Sequence, residues 1–403
     1  MVSVVTIVGM GVLSMSVLTP MLPLYLTSIN VAPDVLGLMF AVAMVGTVIG
    51  ETSSGWLADR IGVKVPLAVA SFASALAVFC FLLTQSVPMI FVFFFFWGLV
   101  RSAIYGPSRG YIGANTSLAK RATSMAVLTV VITGARSLGA LPSGFMVDGW
   151  GYNSVFFTSS AIAVFGGLVV VIGLRRIRSV EPVVAENAPL ADEGSLPAEQ
   201  TVRLRSLLPQ FIVAILQFLG LGTLMTFGPL LATEVVGVRA TEVGILFTIA
   251  GLASMVMGVP MGILADRVGK KTFMVLGLLV SAVAMAGIAF VQSFSWFLVF
   301  AIINGLGLVI FTPAALGLLS ESVPVSQQST AMGIYGGMCE NAGIIAGSAL
   351  GGFVWSGLGP QSTFLMCSIA AGLGLVICLV LVRSRPLKAG FASTADRISH
   401  ELG

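Results

Sequence analysis

Charge is scarce in this chain. Asp, Glu, Lys and Arg make up only 9% of its 403 residues, against roughly 25% in an ordinary soluble domain. A water-solvated globular surface is therefore excluded for most of its length. Histidine is scarcer still, with His400 as the single example. One imidazole supports neither a histidine-based metal site nor an acid–base pair, and the chain has no nucleophile elbow or phosphate-binding glycine loop. Neither an enzyme nor a cofactor is expected. The four cysteines, Cys80, Cys339, Cys367 and Cys378, all fall inside apolar runs without paired spacing. That excludes a disulfide framework and reads as small core residues. The net charge of +4 is not gathered into one basic domain, so a nucleic-acid partner is not expected.

What the chain has instead is apolar residues: 57% of the total, with a mean hydropathy of +1.05. A helix of about 20 apolar residues crosses a bilayer. Twelve such runs are present, at about 3–27, 35–56, 66–85, 88–112, 122–147, 154–174, 209–232, 241–263, 272–292, 295–319, 328–352 and 361–382. Lipid cannot satisfy an open backbone, so the runs predict an all-α membrane protein of twelve transmembrane helices. The first run lacks a basic leader and is too long for a secretory signal, so a span is expected there too.

One ten-residue pattern occurs twice. Gly55-Trp56-Leu57-Ala58-Asp59-Arg60-Ile61-Gly62-Val63-Lys64 is echoed, 207 residues later, by Gly262-Ile263-Leu264-Ala265-Asp266-Arg267-Val268-Gly269-Lys270-Lys271. At similar offsets Gly37 and Phe40 match Gly244 and Phe247, Gly98 matches Gly305, Met125 matches Met332, and Gly144-Phe145 matches Gly352-Phe353. Pro23 and Pro229 sit near the matching ends of runs 1 and 7. A repeat at half the chain length predicts two pseudo-symmetric six-helix bundles around a transport path. Their expected bounds are 1–178 and 206–390, joined by a polar linker at 179–205 and followed by a tail at 391–403.

Basic residues set the orientation. Arg60, Lys64, Lys120, Arg121, the arginines at 175–178 and 203–205, Arg267, Lys270, Lys271 and the basic residues after 382 all fall on one side of alternating spans. Only Arg239 falls on the other. The positive-inside rule predicts cytoplasmic termini, and a prokaryotic inner membrane is the expected location.

With the doubled G-x-L-A-D-R-x-G-x-K pattern in twelve spans of this polarity, the chain resembles the major facilitator superfamily over essentially its whole length. The resemblance implies that the repeated loops latch the cytoplasmic side when the carrier faces outward. The latch residues would be Gly55, Asp59, Arg60, Gly62 and Lys64 in the first half, and Gly262, Asp266, Arg267, Gly269, Lys270 and Lys271 in the second. A simple topogenic charge cluster would not need the same Gly-Asp-Gly spacing twice.

Charges inside spans are costly in lipid and mark function. Arg101, Arg136 and Glu340 lie near the middles of runs 4, 5 and 11, and Glu51 lies toward the basic end of run 2. Tyr105 follows Arg101 by one helical turn on the same face. The resemblance implies that helices 1, 4, 7 and 10 line the central cavity and that 2, 5, 8 and 11 flank it. Arg101, Tyr105, Arg136, Glu340, Glu51, Asn304 and Asn341 are thereby the candidates for the substrate or proton path. Arg101 and Arg136 also serve as possible helix–helix ties, and Glu340 as a fixed partner of an arginine. Two drug-antiporter features are incomplete. The stretch around Phe93–Phe96 is apolar where many such carriers place an arginine, and Gly139-Ala140-Leu141-Pro142-Ser143-Gly144-Phe145 only partly matches the helix-5 exporter pattern G-x-x-x-G-P-x-x-G-G.

The expected function is secondary active transport by alternating access: proton-coupled efflux of small amphipathic compounds by a monomer in the lipid bilayer. The alternatives are transport of an organic anion or an amphipathic lipid, and a non-transporting receptor of the same fold. A channel is disfavoured because no filter-like segment is present.

Overall fold

A computed structural model describes residues 2–105, 107–108, 118–173 and 207–382. The linker 179–205, the tail 391–403 and the side chains of Asp59, Lys120 and Arg121 lie outside the described residues.

The described residues form twelve helical spans. They are α1 (Val2–Leu18, resuming as Leu22–Ser28), α2 (Pro33–Ile61), α3 (Lys64–Cys80), α4 (Val87–Ser102), α5 (Leu118–Trp150), α6 (Tyr152–Gly173), α7 (Leu208–Leu230), α8 (Ala240–Val268), α9 (Lys270–Ala289), α10 (Phe294–Ser322), α11 (Val325–Gly333, continuing to Leu358) and α12 (Pro360–Leu381). Nine are long and apolar enough to cross a membrane, and α3 and α4 are shorter apolar helices of 17 and 16 residues. The remaining one, α11, is divided by a wide turn at Ile334–Glu340.

Local chemistry sets the boundaries. Proline stands in the first turn of α2, α4, α7 and α12, where its missing N–H is no loss. Pro20 lies in the turn that breaks α1, because it can neither donate to the helix nor clear the preceding turn. The second glycine of each repeated pattern ends a helix. Gly62 (φ 84°) closes α2 and Gly269 (φ 119°) closes α8, each donating its N–H to the carbonyl of Ala58 or Ala265. Side-chain-bearing residues rarely adopt that backbone, so the Gly-Asp-x-x-Gly spacing has a purely local cause at its second glycine.

Packing repeats the sequence symmetry. In the first half α1 packs on α5 and α6, α2 on α4, and α3 on α6. The second half repeats these pairs as α7 on α11 and α12, α8 on α10, and α9 on α12. Close approach relies on glycine, as expected where helices meet in lipid. A Cβ at Gly98 would overlap the Ala43 carbonyl, and one at Gly347 the Leu219 carbonyl. The halves meet along two further seams, α2 against α11 and α5 against α8.

These seams are not uniform. At the end opposite the repeated loops, one hydrophobic core runs through both halves, joining Leu22, Phe81 and Trp97 to Phe227, Ile288, Trp355 and Phe364. Toward the repeated loops it gives way to two separate cores. One, around Ile7, Leu67 and Val170, belongs to the first half; the other, around Phe211, Met274, Phe311 and Cys378, belongs to the second. At that end Gly55, Gly258, Gly336 and Gly337 face open space. The bundles are thus joined at one end and parted at the other.

Candidate substrate path and gating loops

Arg101 sits in the last turn of α4. Its Nη2 donates to Thr47 Oγ1 at 3.2 Å, its Nε approaches the same oxygen at 3.4 Å, and Met44 Sδ lies 3.9 Å away. The guanidinium also stands over the Trp97 ring, 4.6 Å from its centroid. It is therefore held by a hydroxyl, a thioether and an aromatic face, all from α2 and α4, and among the described residues by no carboxylate. The ring face and the hydroxyl offset part of the cost of keeping a cation in an apolar bundle. Tyr105 follows Arg101 by one helical turn. Arg136 itself is exposed on α5.

Glu340 closes the wide turn of α11 and is half-buried. Such a turn leaves carbonyls without their usual helical donors, and these turns cluster at functional sites. Asn341 answers the need: its Nδ2 donates to the carbonyls of Gly336 and Gly337 at 3.2 and 3.1 Å. Its role is thus to hold the turn that carries Glu340. Asn304 is buried in α10 at 6% exposure, so it offers almost no surface to the gap between the halves. Glu51 is half-buried on α2, a turn before the first repeated loop. Arg101 and Tyr105 thus lie at the end of α4 and Arg136 on α5, while Asn304 is buried in α10 and Asn341 bonds within α11.

The repeated loops share one contact and differ in others. Lys64 Nζ donates to the Val171 carbonyl at 2.7 Å, and Lys271 Nζ to the Leu379 carbonyl at 2.9 Å. The two lysines are 207 residues apart and cap the last turns of α6 and α12, where a cation complements the helix dipole. Arg60 lies over Trp56, 4.0 Å from the ring centroid, while Ile263 takes the tryptophan's place in the second loop. There Lys270 bonds to Glu321 of α10 and lies 3.6 Å from Asp266. Gly262 stands against Pro313, and Arg267 is exposed.

Sequence reasoning missed the partners of Arg101. Trp97 was legible, lying one turn earlier on the same face, but Thr47 and Met44 come from α2 and needed the helix pairing. It also missed Asp148 and Ser356, which meet the opposite half at the joined end.

A doubled six-helix membrane bundle, joined at one end and parted at the other with cations within its spans, is the architecture of a membrane transport protein. The profile of the Major Facilitator Superfamily matches residues 4–239 and 210–400, and the chain belongs to that family. It is accordingly an integral membrane transporter of small molecules and not an enzyme. Multidrug resistance protein MdtG of Klebsiella pneumoniae (strain 342) is 25% identical over 399 residues, covering 95% of this chain and 93% of that protein. Quinolone resistance protein NorA of Staphylococcus aureus (strain Mu50 / ATCC 700699) is 26% identical over 165 residues, 41% of this chain and 42% of that one. Among solved structures, the nucleoside transporter NupG superposes with a TM-score of 0.75 at 14% identity, covering 94% of this chain and 97% of that chain. A bacterial homologue of the human lysosomal transporter Spinster, inward-facing and unoccupied, gives 0.70 at 14% identity, covering 94% of each. At these identities the solved structures establish the fold alone.

Proposed function

We propose that this chain is a proton-coupled exporter of small amphipathic compounds that works as a monomer by alternating access. The observation that carries the reading is the division of the core. One core shared at one end, with two separate cores at the other, is what two bundles need if they are to rock about a site between them. The relatives named as a multidrug resistance protein and a quinolone resistance protein support export, and the first supports broad substrate choice. The basic loops support cytoplasmic termini in an inner membrane, which makes the parted end cytoplasmic and the conformation inward-facing. Proteoliposomes carrying an amphipathic dye and an imposed pH gradient test the reading. Dye movement that follows the gradient is expected; movement indifferent to it overturns proton coupling.

Transport of an organic anion is the second reading, favoured by two arginines within the spans of the first half, Arg101 being held by neutral groups and by no carboxylate among the described residues. Arg stays protonated and grips a carboxylate with a planar fork. Arg101→Lys should weaken binding of an organic anion and Arg101→Gln should weaken it more, measured by titration on monodisperse protein. A cationic dye should be unaffected, or bound more tightly, by the Gln variant. Unchanged anion affinity in Arg101→Gln rules this reading out.

The repeated loops serve as the cytoplasmic latch of the outward-facing state. Asp59→Asn is expected to lower flux with folding preserved and to raise the inward-facing population. Asp266→Asn should act more weakly, because Lys270 is already shared with Glu321. Cysteine accessibility from both faces measures this; wild-type flux with unchanged accessibility removes the latch.

A further inference from the structure

At the joined end, each seam carries a hydrogen bond from a helix start in one half to a side chain in the other. On the α5–α8 seam, the Thr241 N–H donates to Asp148 Oδ2 at 2.9 Å. On the α2–α11 seam, the Asp34 N–H donates to Ser356 Oγ at 3.2 Å. Both donors hold the second position of their helix, after Arg239-Ala240 and Ala32-Pro33. Thr241 and Asp34 are 207 residues apart, and Asp148 and Ser356 are 208 apart. The internal symmetry of the chain therefore relates the two bonds.

We propose that these two cross-half helix caps are the gate that holds the far end shut, and that the charged cap on the α5–α8 seam is its stronger bolt. The first amides of a helix have no partner within it and accept a side-chain oxygen instead. In most proteins that oxygen comes from the residue preceding the helix. Here neither Ala32 nor Arg239 makes a side-chain cap bond at its own helix start; Glu242 accepts the Arg239 N–H at 2.8 Å instead. Each seam thus takes its cap from the opposite half, and the cap exists only while the halves touch. Both bonds lie at the exposed rim of the seam, and opening that end breaks them and leaves water as the partner of each helix start.

The two caps differ in charge for a reason present in the sequence. An aspartate beside α8 meets a helix start whose second residue is Thr241 and whose neighbour is Arg239. An aspartate at position 356 would instead meet the carboxylate of Asp34, so a neutral hydroxyl stands there. A carboxylate on helix N–H groups makes the stronger, dipole-assisted bond. Backbone contact around the caps is also close: a Cβ at Gly144 would overlap the Ala240 carbonyl, and one at Gly352 would stand 2.6 Å from the Pro33 carbonyl. Thr248 Oγ1 adds a bond to the Ser137 carbonyl at 3.0 Å further along the first seam.

The inference rests on the two-bundle architecture and not on the identity of the substrate. Its test uses full-length protein in proteoliposomes, with the native cysteines replaced and spin labels on Asn153 and Val235. Both positions are exposed beside the α5–α8 seam. Loss of a cap shifts an equilibrium about three- to tenfold, so Asp148→Ala should raise the long-distance population by about that factor. Asp148→Asn should fall between it and wild type, because its amide oxygen still accepts. Ser356→Ala should shift the balance less, and the double variant should combine both factors, since the seams share no residue. Ser356→Asp should open the gate further, through repulsion with Asp34. A distance distribution in Asp148→Ala that matches wild type overturns the proposal, whether or not its thermal midpoint has fallen. If Asp148→Ala yields no folded protein, Asp148→Asn decides by the same measurement.

Discussion

Replacing Glu340 with glutamine is expected to reduce pH-gradient-driven flux to background while leaving a folded protein that still exchanges substrate down its own gradient. Glu340 stands half-buried at the end of the wide turn in α11, and the neighbouring amide of Asn341 holds the two glycine carbonyls that this turn exposes. Glutamine has nearly the same shape, so the turn should survive. It carries no exchangeable charge, so a carrier that moves a proton through this position loses its coupling while keeping its path. Counterflow and gradient-driven uptake on the same proteoliposomes separate the two effects. Full gradient-driven transport by Glu340→Gln would give Glu340 a structural role and move the proton to Glu51.

Two glycine substitutions with similar steric conflict should have opposite consequences. A side chain at Gly98 would overlap the Ala43 carbonyl, and one at Gly37 the Ser348 carbonyl. Backbone cannot escape by changing rotamer, and overpacking of this kind costs about 1–3 kcal/mol or more. Gly98 and Ala43 face each other within one half, on α4 and α2, so every working conformation contains the clash. Gly98→Leu should therefore lose most folded protein and lower the thermal midpoint sharply. Gly37 and Ser348 face each other across the halves, so parting the joined end relieves the clash. Gly37→Leu should fold, lose flux, and expose a cysteine placed at position 348 to a membrane-impermeant reagent. Equal loss of folded protein in both variants would mean that the halves cannot separate along the α2–α11 seam.

The fold was legible because its cause is compositional. Twelve apolar runs and a duplicated pattern leave little besides two six-helix bundles, and the family match agrees. The run edges were less legible. Expected at about 35–56, α2 is in fact Pro33–Ile61, because hydropathy falls at its polar end before the helix stops at Gly62. Helix 11 looked continuous, since hydropathy carries no trace of the turn at Ile334–Glu340. The candidate site was legible only in part. Mid-span charge singled out Arg101, Arg136 and Glu340, as the cost of charge in lipid requires. Asn304 and Asn341 drew the same attention; the first is buried in α10 and the second bonds to the carbonyls of the α11 turn.

By itself the sequence determined the class, the span count, the duplication and the positions of the intramembrane charges. Each follows from a one-dimensional rule: apolar length against bilayer thickness, charge against an apolar run, a repeat against a shared offset. Only the tertiary structure decided which ends touch. That Arg101 rests on Thr47 and Trp97, that Lys64 and Lys271 cap α6 and α12, and that Asp148 and Ser356 cap helices in the opposite half all depend on pairs far apart in the chain. Helix packing brings such pairs together through the sum of many weak contacts, and no local pattern encodes that sum. The joined and parted ends are a further step removed, because they depend on how two whole bundles meet.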